Sequence, residues 1–330
     1  MNTLRTREAS PPIKSLTGTQ YSENPSSFRY SGHGTFTCRY TWLPKVVRSL
    51  LEKPALFSDE DDAMIRLGVG KNMVRSIKFW AESSGVIEQD TDRRGAYKVT
   101  DFGRKVFGPN GYDEFLENIH TLWLIHWNIS TCVSDVPFAW FYLLNHWHRI
   151  DFTKAEAVVA FEQETAQESR TLSPVTLEEH CTIFIRSYVT NRGGKQSEDT
   201  LDCPLNELGL LEDVGERMST ETGRRESIYA FHVEEKNDIS PALFVYCLYD
   251  FWNTAHANEK TLSARSISSG IGSPGQVFKL PEHAIRERLE KIESDSSGLF
   301  YYQESASIQQ VVRLFEPSYA DLLHSIYEGC

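Results

Sequence analysis

The chain has 330 residues, of which 40% are hydrophobic and 12% aromatic, enough for roughly two or three compact units with their own cores. Its net charge of −12 argues against a protein that coats nucleic acid indiscriminately, and its six cysteines lack the CxxC spacing of a zinc ribbon. Its apolar stretches are interrupted well before membrane-spanning length, and no signal-like segment begins it, so we expect a cytoplasmic protein with no membrane partner.

Positive charge is concentrated in one part of the sequence. Residues 29–108 contain 14 Lys/Arg and 10 Asp/Glu, a net of +4, so the rest of the chain carries −16. The negative remainder should repel DNA and suit basic protein partners. A nucleic-acid-binding function is therefore expected only in the first third of the chain.

Residues 1–28 are rich in Ser, Thr, Pro and Asn and predict a flexible leader. A helix over 42–52 follows, with Thr41 as a candidate cap and Pro44 in its first turn, where proline is tolerated.

Residues 58–83 predict two helices joined by a glycine turn. Ser58 and the acidic residues after it suit a helix start, Gly68 and Gly70 interrupt the helix, and a second helix begins at Lys71. In that second helix Met73, Ile77 and Trp80 recur at helical spacing and form an inward face. Its other face is cationic, as in a DNA-reading helix-turn-helix. The residues expected to enter the major groove are Lys71, Asn72, Arg75, Ser76 and Lys78.

The next segment predicts a β-hairpin. Residues 85–88 and 96–99 are short strand-like runs, joined by the polar loop 89–95, and another helix begins near residue 100. The order helix, turn, helix, hairpin is that of a winged helix, whose wing commonly contacts phosphate. We expect Arg93, Arg94 and Lys98 to hold the DNA backbone. Protein docking and a purely structural role for this unit are the alternatives.

The remainder predicts helices and a second hairpin. Helices are expected over 112–130, 137–148, 153–167 and 176–190, a Gly-rich linker over 191–197, helices over 240–255 and 281–293, and strands over 299–303 and 308–314. The predicted fold class is mainly α. Its parts are the flexible leader 1–28, a winged helix-turn-helix domain 29–110, a helical bundle 111–195 and a C-terminal α+β winged-helix-like domain 196–330. In the predicted helix over 281–293 of this last domain, three Lys/Arg residues are offset by four Glu residues, which favours protein contact or packing.

Two weak groups of catalytic candidates are present, and the catalytic residues stay unknown. Asp199 and Asp202, near Glu198, could hold Mg²⁺ or Mn²⁺ for phosphodiester cleavage, although an ordinary solvated loop is the commoner explanation. His33 could move a proton while Arg39 holds a phosphate, although a structural pair bracing the turn is favoured. No other cofactor is indicated, and no triad, zincin or kinase motif is present.

Four motifs together resemble a known bacterial family. They are SGHGTF at 31–36, LGVGKNMV at 67–74, DCPL at 202–205 and GSPGQVF at 272–278. The family is one of formerly unknown function, related to the SspB-like proteins of DNA phosphorothioation systems. The resemblance implies a part in sulfur modification of the DNA backbone in antiphage defence, with strand nicking attributed to this component. It also implies a cysteine desulfurase, a reductase-like protein and an ATPase as partners, and it assigns no catalytic residue here.

The leading hypothesis is a double-stranded DNA-binding component of such a system, with metal-dependent strand nicking as a candidate activity. Because the DNA-binding unit has only a small excess of positive charge, its affinity for DNA should be modest, and a homodimer would raise that affinity. The alternatives are a non-catalytic transcription regulator and a protein-docking adaptor of a sulfur-transfer operon.

Overall fold

Helices dominate the structure, a computed structural model that describes residues 27–167, 172–189, 203–220 and 222–328. The predicted mainly α class is confirmed. Residues 1–26 of the expected leader, the linker at 191–197, and both Asp199 and Asp202 lie outside the described residues.

The N-terminal part consists of four helices and a hairpin, preceded by a short strand. Its elements are β1 (Phe28–Arg29), α1 (Trp42–Glu52), α2 (Glu60–Leu67), α3 (Lys71–Ser83), β2 (Ile87–Gln89), β3 (Tyr97–Val99) and α4 (Asp101–Phe107). The N-cap of α2 is Asp59 and not the predicted Ser58, because the Asp59 carboxylate accepts hydrogen bonds from the first-turn amides of Asp61 and Asp62. Gly68, at φ 64°, ends α2 in the left-handed conformation that glycine adopts without strain.

The central part contains a sheet that the sequence did not predict. Its elements are α5 (Ile119–Thr131), β4 (Val136–Pro137), α6 (Phe138–Phe141), a π-helical turn (Tyr142–His146), β5 (Asp151–Thr153), α7 (Lys154–Gln167), α8 (Pro174–Tyr188), β6 (Leu211–Met218) and β7 (Arg225–Phe231). The strand order is β5-β7-β6, with Phe152 opposite Tyr229. One sheet therefore includes strands from both sides of the predicted boundary at 195/196.

The C-terminal part repeats this strand arrangement. Its elements are α9 (Pro241–Ala255), β8 (Thr261–Ser263), α10 (Ala264–Ser269), α11 (Pro274–Val277), α12 (Glu282–Glu290), α13 (Ile292–Asp295), β9 (Phe300–Glu304), β10 (Gln309–Arg313) and α14 (Tyr319–Tyr327). The strand order is β8-β10-β9. The first strand, β8, pairs with β10, the second strand of the hairpin β9–β10. In the central sheet β5 pairs in the same way with β7, the second strand of the hairpin β6–β7. The predicted helix over 240–255 and the hairpin over 299–314 are present.

Buried tryptophans connect the three parts. Trp80 of α3 packs edge-on against Trp140 of α6, with ring centroids 5.7 Å apart. The indole of Trp127 in α5 donates a 2.7 Å hydrogen bond to the Asp250 carboxylate in α9. Because these contacts are buried, the parts share one core. None of the helices in the described ranges is long and apolar enough to cross a membrane.

Candidate nucleic-acid interface

Helix α3 presents its polar face to solvent because its apolar face packs inward. Val74, Ile77 and Trp80 are buried, as are Ala63 and Leu67 of α2, so the two helices fix each other through an apolar contact. The N-terminal end of α3 follows the glycine turn and is exposed at Lys71 and Asn72. This is the helix end that reaches base edges in helix-turn-helix proteins.

An acidic residue of α2 offsets part of the charge on this face. The Glu60 carboxylate lies 2.6 Å from the Lys71 ammonium and 3.1 Å from the Arg75 guanidinium. The hydrogen bond from Lys71 is the main reason why the pKa of Glu60 is lowered. The two cationic side chains remain 55% and 62% exposed, so solvent weakens both pairs and a phosphate can compete for them.

Ser76 does not belong to this surface, which corrects the sequence-based assignment. Its side chain is fully buried, and its hydroxyl donates a hydrogen bond to the His33 carbonyl oxygen. A hydroxyl held in this way joins α3 to the turn before α1 and has no access to a base edge.

The hairpin lies beside α3. The Lys78 ammonium is 4.4 Å from the centroid of the Tyr97 ring in β3, a cation–π contact between the helix and the hairpin. Lys98 pairs with Glu88 across the two strands at 3.1 Å, and this hydrogen bond raises the pKa of Lys98. In the connecting turn Arg93 and Arg94 are exposed, and within the described ranges neither has an ion-pair partner. Among the positively charged residues predicted to contact DNA, Arg93 and Arg94 have the fewest competing partners.

His33 has a structural partner that the sequence did not reveal. Its Nε2 lies 2.7 Å from Nδ1 of His180 in α8, and its Nδ1 lies 2.5 Å from the Gly34 carbonyl oxygen. The backbone amide of Ala139 donates to Nε2 of His180 at 3.0 Å. His180 Nε2 is therefore an acceptor, so its Nδ1–H donates to His33 Nε2, and the Nδ1–H of His33 donates to Gly34.

This chain of hydrogen bonds needs both imidazoles neutral. Burial lowers the pKa of His33 and the pKa of His180, and the proximity of His33 lowers the pKa of His180 further. Both ring nitrogens of His33 make hydrogen bonds within the fold, which favours the structural role over proton transfer beside Arg39. Arg39 instead lies 5.7 Å from the Trp42 ring centroid.

A family of proteins described as of unknown function, DUF4007, matches residues 30–327. The chain belongs to the DUF4007 family. No curated protein matches it in sequence. In fold it resembles the structure titled "Magnesium ion-bound SspB crystal structure", with a TM-score of 0.80, 24% identity, and coverage of 92% of this chain and 88% of that one. A second structure, "SspB crystal structure", has a TM-score of 0.78 at the same identity and coverage.

The expected metal site of this DUF4007 protein has no counterpart in the residues that the structure describes. Across those ranges no group of three or more His, Cys, Asp and Glu side chains is placed to hold a metal ion. The magnesium ion of the first SspB structure belongs to that protein. Asp199 and Asp202, which carried the Mg²⁺ or Mn²⁺ prediction, fall outside these ranges and stay a prediction.

Proposed function

We propose that this DUF4007 protein is the double-stranded DNA-binding component of a DNA phosphorothioation system. The fold likeness to SspB supports this proposal, because the sequence motifs resemble those of the SspB-like proteins of such systems. The observation that carries DNA binding is the position of Arg93 and Arg94, exposed and without ion pairs in the described ranges, on a hairpin packed against α3.

The proposed binding unit is a winged helix over residues 29–110. Helix α3 would lie in the major groove, with Asn72 toward the base edges. Lys71 and Arg75 would give up their ion pairs with Glu60 and bind DNA phosphates instead. Lys78 would hold the hairpin in place through Tyr97, and Arg93, Arg94 and Lys98 would contact the backbone. Phosphate contacts set the position on the duplex and carry no sequence information.

The acidic remainder favours protein partners over DNA. With −16 on the rest of the chain, duplex contact is disfavoured outside residues 29–108, and a basic or neutral protein surface is the better complement. The proposed partners are the sulfur-transfer proteins of the same system: a cysteine desulfurase, a reductase-like protein and an ATPase. A homodimer would present two hairpins to one duplex and raise the affinity.

Removing the hairpin arginines should weaken duplex binding. For the double variant Arg93→Gln/Arg94→Gln we expect a lower affinity for any duplex sequence, because phosphate contacts are lost. The slope of log affinity against log salt should decrease by about 0.9 for each lost contact, or about 1.8 for the pair. Fluorescence anisotropy with a labelled duplex at several salt concentrations measures both quantities.

A matched control removes the same charge elsewhere. Lys260 and Lys291 are exposed and lie outside the proposed unit, so Lys260→Gln/Lys291→Gln should keep the affinity and the salt slope of the wild type. Equal losses in both double variants would mean that net charge alone matters, which contradicts a local surface.

Supercoiled plasmid with Mg²⁺ or Mn²⁺ separates the other candidate functions. Relaxation of the plasmid would add strand nicking to DNA binding, and Asp199→Asn/Asp202→Asn would then test the carboxylates. A retarded but intact plasmid fits a non-catalytic DNA-binding protein or transcription regulator. The absence of any interaction would leave the protein-docking adaptor.

A further inference from the structure

The 272–278 motif, which contains helix α11, is held tightly against two other elements. A Cβ at Gly275 would lie 2.0 Å from the Ser268 carbonyl oxygen of α10, so only glycine fits there. The Gly272 amide donates a 2.7 Å hydrogen bond to the buried Asn145 side chain in the π-helical turn. These contacts fix the path of the chain up to Lys279, which adopts φ 53°, a left-handed conformation that is unusual for a residue with a side chain.

Lys279 is buried without a carboxylate. The residue is 8% exposed, its ammonium donates a 2.7 Å hydrogen bond to the Leu144 carbonyl oxygen, and it lies 4.6 Å from the Phe231 ring centroid. No Asp or Glu in the described ranges forms an ion pair with it. The Leu144 carbonyl oxygen thus satisfies one of the three N–H groups of the Lys279 ammonium. A buried ammonium also needs a nearby negative charge, because burial removes its hydration.

Lys279 also lines a cleft. The cleft has a volume of about 210 Å³, and its walls include Trp147, Phe231 and Leu280. Arg149 stacks on Trp147 at 4.6 Å and pairs with Glu156 at 3.1 Å, while Gln276 adds an amide to the lining. Since a water molecule in the liquid occupies about 30 Å³, the cleft has room for a polyatomic ion.

We propose that this cleft binds a phosphate-sized oxyanion, with Lys279 at its base and Arg149 at its rim. An oxyanion accepts hydrogen bonds from the unused ammonium N–H groups and from the Gln276 amide, and it supplies the missing negative charge. Burial lowers the pKa of Lys279 to about 7, and a bound anion would favour the charged form. The ion is either free in solution or the terminal phosphate of a nucleotide, since both present the same oxygens. The site is independent of the proposed DNA surface on α3 and the hairpin.

Calorimetric titration of the full chain with sodium phosphate tests the site, with sodium chloride at equal ionic strength as the reference. The wild type should bind phosphate saturably. Lys279→Met should bind at least about tenfold more weakly, because a charge-assisted hydrogen bond is lost. Lys260→Met makes the same substitution at an exposed position and should bind as the wild type does.

Two further measurements keep the test decisive. If Lys279→Met does not fold, Ile150→Trp at the exposed mouth of the cleft should block phosphate and leave Lys279 intact. Competition by a 5′-phosphorylated dinucleotide, but not by its 5′-hydroxyl form, would assign the site to a terminal phosphate; competition by neither would assign it to the free ion. Wild-type heats equal to those of chloride, or unchanged phosphate binding in Lys279→Met or in folded Ile150→Trp, would overturn the proposal.

Discussion

The free energy of unfolding should fall steeply as the pH drops below 6.5. Burial lowers the pKa of His33, of His126 and of His180, the second from 6.5 to about 4. Below 6.5 the unfolded chain takes up protons that the native state excludes, so the native state loses stability until the folded-state pKa is reached. For His126 alone this amounts to about 3 kcal/mol, since each pKa unit corresponds to roughly 1.4 kcal/mol.

Urea unfolding at several pH values between about 7.5 and 4.5 measures this loss. Each histidine whose pKa is lowered in the native state contributes at most about 1.4 kcal/mol per pH unit, and His126→Gln should remove that contribution from the slope. The glutamine amide can replace the hydrogen bonds of His126 with the Tyr188 hydroxyl and the Val277 carbonyl oxygen. His283, whose side chain is 63% exposed, provides the control His283→Gln. A slope unaffected by His126→Gln would contradict the prediction.

The elements that the sequence predicted well are those specified by neighbouring residues. Helix α3 has a buried stripe at helical spacing, and the glycine turn before it needs a conformation that Gly68 adopts easily. The hairpin β2–β3 pairs residues only about ten positions apart, with Ile87 opposite Val99. Local patterns of this kind are visible in any single sequence.

The unpredicted elements depend on distant residues. Strand β5 has three residues and pairs with β7 more than 70 positions later, and most residues of β6 face solvent, so neither shows a clear alternation. The predicted helix over 112–130 begins only at Ile119. Leu116 adopts φ 63°, a left-handed conformation that a helix does not contain. The Asp113 carboxylate accepts hydrogen bonds from the backbone amides of Glu117 and Asn118, and these bonds favour a turn over a helix.

The candidate site was predictable in its position and not in its details. The sequence located the basic face of α3 and the arginines of the hairpin, but a helical wheel could not show that the turn around His33 covers Ser76. It singled out His33 and not its partner His180, which is 147 positions away. Lys279 directly follows the 272–278 motif, after the apolar residues Val277 and Phe278, and only the packing around the cleft shows that its side chain is buried.

Gly103→Ala should destabilise the N-terminal part by about 3 kcal/mol, at the upper end of the range for overpacking, because the added Cβ would lie 2.3 Å from the Val86 carbonyl oxygen. That oxygen also accepts hydrogen bonds from the amide and the hydroxyl of Thr100, the N-cap of α4. Relief of the clash therefore requires α4 to move away from the start of the hairpin and to lengthen these bonds. Urea unfolding measures the loss.

The same substitution should also lower duplex affinity under conditions where the variant stays folded. Strand β3 continues directly into α4 through Thr100, so a shift of α4 moves the hairpin and its arginines relative to α3. Gly70→Ala is the matched control, because a Cβ at Gly70 meets no atom within 4 Å and its cost should stay below about 1 kcal/mol. If Gly103→Ala were as stable as Gly70→Ala, the close packing of α4 on the hairpin would not hold. If it were destabilised but bound DNA normally, the hairpin would not contribute to the duplex interface.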